Sequence, residues 1–136
     1  MIFKNRKPRN QTPEKIFVNC ELLPYLRKIG CSFNVIEAKA TFNKASGRYK
    51  SQTVTPGYPD ISGNFSNGHA LYIEAKAPGK RSTLSSLQKM FLTEKIESNA
   101  FAAVIDSVDY LKDLLNKWSN LESFELKRNL LKSELP

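Results

Sequence analysis

Asp60 closes the turn-rich run Gly57-Tyr58-Pro59-Asp60, and Glu74 and Lys76 lie one residue apart on the strand-like segment Ala70 to Lys76 (ALYIEAK). Strand side chains alternate between faces, so Glu74 and Lys76 share one. Ile61-Ser62-Gly63 and a turn region from Asn64 to Gly68 separate them from Asp60, and the whole reads as a β-hairpin. A two-residue turn at Asn67-Gly68 would leave Asp60 and Glu74 within one register step of direct opposition. Two carboxylates so placed can share a divalent cation, and a lysine beside them can orient and activate water. This is the set that metal-assisted phosphodiester hydrolysis needs.

An acid-x-lysine triplet alone is weak, since Glu37/Lys39, Glu74/Lys76 and Glu125/Lys127 all fit. Asp60 is the first aspartate in the chain, so Glu37 has none before it, and Glu125 lies in a helix-like stretch. Only Glu74 has the full setting. Gln88 lies on a predicted helix after the hairpin, four residues after Leu84 and three before Phe91, and so on their face. A buried amide must find partners, so Gln88 is either a satisfied core group or one aimed into the site.

The elements that must position these residues are legible in outline. Thr12-Pro13-Glu14 predicts a helix start, with Ile16, Cys20, Leu23 and Leu26 as its apolar stripe, a kink or split at Pro24 and a stop at Gly30. Ser32 to Ala38 suits a strand, and Lys39 to Thr55 a basic hairpin or loop turning at Ser46-Gly47. After the central hairpin, Ser82 or Thr83 should cap a helix that turns Leu84, Leu87, Phe91 and Ile96 to the core and stops at Asn99. Ala100 to Ile105 reads as a buried strand, Val108 to Trp118 as a helix, and 119–136 as a helical extension. The expected fold class is α/β, a mixed sheet flanked by helices in the order α-β-β-β-α-β-α, forming one domain over 1–136 with a basic arm at 1–11.

The chain resembles the VRR-NUC family of the PD-(D/E)xK restriction-endonuclease-like superfamily. The resemblance rests on Gly57, Pro59-Asp60, Glu74-Ala75-Lys76 and Gln88, and runs from about Glu14 to Asp113. It implies a restriction-endonuclease-like core and a nuclease of the short stand-alone phage and bacterial type, acting on branched or Holliday-junction DNA. It also implies Asp60, Glu74 and the Ala75 carbonyl as ligands to Mg²⁺ or Mn²⁺, Lys76 positioning the attacking water, and Gln88 supporting Lys76 or a phosphate. The family often places a further glutamate on the first helix. Glu14 is the best match, its competing role being that of an N-terminal dipole partner. Two departures are the Ser98-Asn99 ending of the Gln88 helix, where glycine is common, and the long basic loop before Gly57.

Net charge fits that reading. With 21 Lys and Arg against 13 Asp and Glu, the chain carries +8, which favours a polyanion through counterion release. Lys44, Arg48, Lys50, Lys80 and Arg81 are the expected DNA contacts, although each cluster equally suits a solvated surface. A nuclease fold that binds DNA without cutting is the alternative, and the intact Asp60, Glu74, Lys76 and Gln88 argue against it.

Other chemistries find no support. No GxxxxGK[ST] or GxGxxG is present, and His69, the only histidine, has no nucleophile motif nearby and is expected to face water. Cys20 and Cys31 form no CxxC and are expected to be buried and inert. No apolar run of membrane length and no secretion signal occurs, so no membrane partner and a cytoplasmic setting, in a bacterial or phage-infected cell, are expected. Tyr110, Leu111, Leu114 and Trp118 should pack a terminal helix, whose outer apolar face would suit a homodimer.

Overall fold

The computed structural model describes residues 11–36, 40–43, 47–51 and 56–136. Strands β1 (Ser32–Val35), β4 (Ile61–Asn64), β5 (Ala70–Ala75) and β6 (Phe101–Ile105) form one mixed sheet in that order. The first two pairings are antiparallel and β5–β6 is parallel, so the chain is α/β with a mixed sheet. Strands β2 (Ala40–Asn43) and β3 (Arg48–Ser51) make a separate antiparallel ribbon, in keeping with the hairpin reading of that basic stretch. A parallel pairing needs a crossover, and α3 (Ser86–Glu97) supplies it between β5 and β6. Helices α4 (Val108–Ser119) and α5 (Phe124–Ser133) come after β6. All of β6 is buried, which is why its sequence is a continuous apolar run rather than an alternating one.

The first helix begins as expected, with the Thr12 hydroxyl accepting from the Lys15 N–H at 3.3 Å. It then runs as α1 (Pro13–Phe17), a π-helical turn at Val18–Leu22 and α2 (Leu23–Lys28). The split expected near Pro24 takes the form of a wider π turn just before it, with the Leu23 N–H reaching back to the Val18 carbonyl and Pro24 in the first turn of α2. The extra residue in that turn rotates the apolar stripe. Phe17, Leu22, Leu23 and Leu26 are buried, while Ile16 and Cys20, expected inside, face out. Cys31 is half-buried, so neither thiol is the fully buried group expected.

Three further expectations are corrected. The central hairpin does not use a two-residue turn: residues 65–69 form its loop, closed by Phe65 N–H to the His69 carbonyl and Gly68 N–H to the Phe65 carbonyl, both at 2.9 Å. The α3 helix is capped by Ser85 rather than Ser82 or Thr83, which belong to a 3-10 turn over Arg81–Thr83. Leu87 points outward, and Leu92 takes the core position beside Ile96. The Asn99 stop is present, with φ of 70°.

His69, expected in water, sits among rings. It stacks on Phe124 at 5.9 Å and meets the edge of Trp118 at 5.1 Å, where Phe65 and Phe101 also converge. Trp118, Leu111 and Leu114 are buried as expected. Among the described residues no helix is long and apolar enough to cross a membrane.

Candidate active site

The five-residue hairpin loop improves the register at the site. Ile61 pairs with Ile73 and Ser62 with Tyr72, so continuing the ladder by one residue sets Asp60 directly opposite Glu74. Backbone and side chains then interlock. The Asp60 N–H donates to Glu74 Oε2 at 3.3 Å, and the Ala75 N–H donates to Asp60 Oδ2 at 3.0 Å. The Lys76 N–H donates to the Ile105 carbonyl at 3.0 Å, which ties the end of β5 to β6.

Helix α3 lies over the face of β5 that carries Glu74 and Lys76 and adds Gln88. The Gln88 Nε2 donates to Glu74 Oε1 at 2.8 Å, and Lys76 Nζ donates to Gln88 Oε1 at 3.1 Å. Lys76 Nζ lies 3.8 Å from Glu74 Oε1. Of the two readings open for Gln88, the amide is therefore aimed into the acid–lysine cluster. The same side chain anchors its own helix: Gln88 Oε1 accepts from the Ser85 N–H at 2.9 Å, and the Gln88 N–H donates to Ser85 Oγ at 3.1 Å. The local signal for that reciprocal capping box is Ser85-Ser86-Leu87-Gln88, an S-x-x-Q run that distinguishes Ser85 from Ser82 and Thr83.

Gly57 holds the other wall. Its φ is +82°, and a Cβ there would lie 2.7 Å from the carbonyl of Leu87, in the first turn of α3. Only glycine combines that backbone with that approach. The loop thus reaches Pro59, buried, and delivers Asp60 to the end of β4.

Burial gives the cluster its electrostatics. Glu74 is 3% exposed and the Lys76 side chain 14%. Burial first, then the negative charge of Asp60, pushes the Glu74 carboxyl up to about 8 against the opposing pull of Lys76. Asp60 is raised as well, chiefly by burial. Glu14 is raised by burial and then by Asp60, while Lys76 draws it down, so the first helix brings this acid within electrostatic reach of the cluster. The phase shift on that helix explains the placement, because Glu14 shares a face with buried Phe17.

Among the described residues no group of three or more His, Cys, Asp and Glu side chains could hold a metal. Two carboxylates and a backbone carbonyl are nonetheless hard oxygen donors suited to Mg²⁺ or Mn²⁺. Two adjacent acids, Glu74 buried and Asp60 half-buried, both with raised pKa values, are also a charge pattern that a cation relieves. A strand residue directs its N–H and C=O to the same side, so the Ala75 carbonyl shares the Asp60 side with its N–H.

The expected DNA contacts fare differently. Lys80 is exposed beside the site's helix. Arg81 turns inward: its guanidinium donates to the carbonyls of Val104 at 3.1 Å and Glu134 at 2.6 Å and to the Tyr110 hydroxyl at 2.9 Å. Arg48 and Lys50 lie on β3, while Lys44 falls outside the described residues, as do Glu37 and Lys39. Compared with protein-family models, with curated proteins and with solved structures, the chain has no match.

Proposed function

We propose that this chain is a metal-dependent DNA endonuclease with a restriction-endonuclease-like core, of the VRR-NUC kind. One observation carries the reading. A buried glutamate faces an aspartate across a hairpin, and a lysine two residues on is hydrogen-bonded to a glutamine that also bonds the glutamate. A structural ion pair does not need a second carboxylate set beside a buried one, and a buried acid whose pKa is displaced by burial and by a specific charged neighbour is the pattern of a functional site.

Asp60, Glu74 and the Ala75 carbonyl would hold Mg²⁺ or Mn²⁺. When bound, that ion supplies charge stabilisation for the phosphate oxygens and lowers the pKa of water. Lys76, held by Gln88 at the edge of the acid pair, orients the attacking water and faces the developing negative charge. Glu74 ionises when the positive charge arrives, and Gln88 fixes the carboxylate and ammonium relative to each other. The +8 net charge brings the polyanion to the site. Branched or junction DNA is the substrate class that the family resemblance suggests, with a homodimer as the assembly that would cut paired strands.

A cleavage panel tests this: plasmid, linear duplex, single strand and four-way junction, with Mg²⁺, Mn²⁺ or EDTA. Cutting that needs the metal and is lost in Asp60→Asn is expected. Salt-sensitive binding with no cutting of any substrate would leave a DNA-binding protein on a nuclease-like scaffold.

A further inference from the structure

Each element of the site carries an aromatic residue one step beyond its functional group. Tyr72 lies two residues before Glu74 on the same face of β5, Tyr58 lies two residues before Asp60, and Phe91 lies one turn beyond Gln88 on α3. The structure brings these three together. Tyr58 and Phe91 have ring centroids 4.9 Å apart, and Tyr72 meets Phe91 edge to face at 6.4 Å. All three are half-buried, whereas the apolar neighbours Leu71, Ile73 and Leu92 are fully inside. Lys95, a further turn along α3, lies over two of the rings, its Nζ 5.0 Å from Tyr72 and 5.1 Å from Phe91. On the same helix Leu87 and Met90 are exposed at 49% and 56%, so the apolar surface continues outward beside the site.

We propose that the shelf formed by Tyr58, Tyr72 and Phe91 beneath Lys95 receives an unpaired base of the DNA strand adjacent to the scissile phosphate. The inference rests on the hydrolytic reading of the neighbouring acids. Two residues of strand span about 6.6 Å and one helical turn about 5.4 Å, so the shelf begins one short step from Glu74 on the strand and from Gln88 on the helix. An aromatic face with a lysine above it suits a single-stranded nucleotide: the base stacks on the ring, and the ammonium, displaced from the rings, meets the phosphate. A base inside a duplex has both faces stacked already. The shelf therefore selects DNA with an unpaired nucleotide beside the cut over continuous duplex.

The test uses the full chain in EDTA, where no cutting occurs, with oligonucleotides carrying 2-aminopurine either unpaired in a single-stranded tail or paired in a duplex. Stacking on an aromatic ring quenches this probe. Wild type should quench the unpaired probe and leave the signal of the paired one, already dim from stacking between its neighbours, unchanged. Tyr72→Leu and Phe91→Leu should abolish the quench and weaken single-strand binding about tenfold, with duplex binding within about twofold of wild type. Tyr72→Phe keeps the ring and should restore the quench, which separates stacking from lost packing. Equal quenching of both probes, or an unchanged quench in the leucine variants, would overturn the shelf. Cleavage in Mg²⁺ is scored separately. Quenching without cutting of any substrate would sustain the shelf and refute the hydrolytic site, whereas cutting without selective quenching would do the reverse.

Discussion

Glu74 carries the electrostatic weight of the site. Its carboxyl, pushed up to about 8 from an ordinary value near 4.5, binds a proton in the metal-free folded chain that the unfolded chain releases. The stability this provides is complete below the unfolded value and is lost as pH rises through about 8. Metal-free protein should therefore melt at progressively lower temperature from about pH 5 to 9, and Glu74→Gln should flatten that fall in calorimetric scans. A cation held there as proposed would displace the proton, so Mg²⁺ affinity below pH 8 should weaken by about tenfold per pH unit, with proton release detectable by titration in two buffers. Gln88 touches both Glu74 and Lys76, and Gln88→Ala should slow cleavage about 10- to 100-fold while leaving DNA affinity near wild type. Asp60, Glu74, Lys76 and Gln88 are all legible in the sequence, because strand alternation and helical spacing are local rules. The aromatic neighbours are not, since nothing local sets Phe91 against Tyr58 and Tyr72.

At the scale of elements, sequence pattern and structure part company where a single backbone feature changes the phase between the residues on its two sides. The π turn before Pro24 moves the buried stripe of the first helix from Ile16 and Cys20 to Phe17 and Leu22. A 3.6-residue period cannot anticipate an inserted residue. Likewise Ser82, Thr83 and Ser85 all have capping hydroxyls, and only the S-x-x-Q pairing with Gln88 singles out Ser85. That cap fixes the start of α3, the Gly57 contact sets α3 against the loop bearing Asp60, and the two predict unequal costs. Ser85→Ala should destabilise the domain by about 1 kcal/mol in urea unfolding. Gly57→Ala should cost about 1–3 kcal/mol, because its Cβ meets the Leu87 backbone and its φ disfavours alanine. If Gly57→Ala is the milder of the two, the loop does not press on the helix as described.

Across the whole molecule, the sheet order and the parallel β5–β6 pairing set the ends of β4, β5 and α3 at one place, an arrangement that the alternation of strands and helices in the sequence already implies. Long-range polar ties are not implied. Arg81, expected at the DNA surface, lies against the Tyr110 ring at 4.1 Å and bonds the Glu134 carbonyl, joining the segment after β5 to the end of the chain. Tyr110 donates to the Glu134 carboxylate at 2.5 Å in the same network. Arg81→Ala should cost about 2–3 kcal/mol of stability by leaving these acceptors unpaired, with DNA affinity per folded molecule unchanged. Single-turnover cleavage of a labelled DNA substrate by wild type and Lys76→Ala, at matched protein saturation in Mg²⁺, tests the proposed hydrolytic site most directly. Lys76→Ala should bind the DNA as wild type does, because exposed basic residues supply that affinity, while its cleavage rate falls at least about 100-fold. Cleavage at the wild-type rate by Lys76→Ala would contradict the proposed role of the acid–lysine cluster.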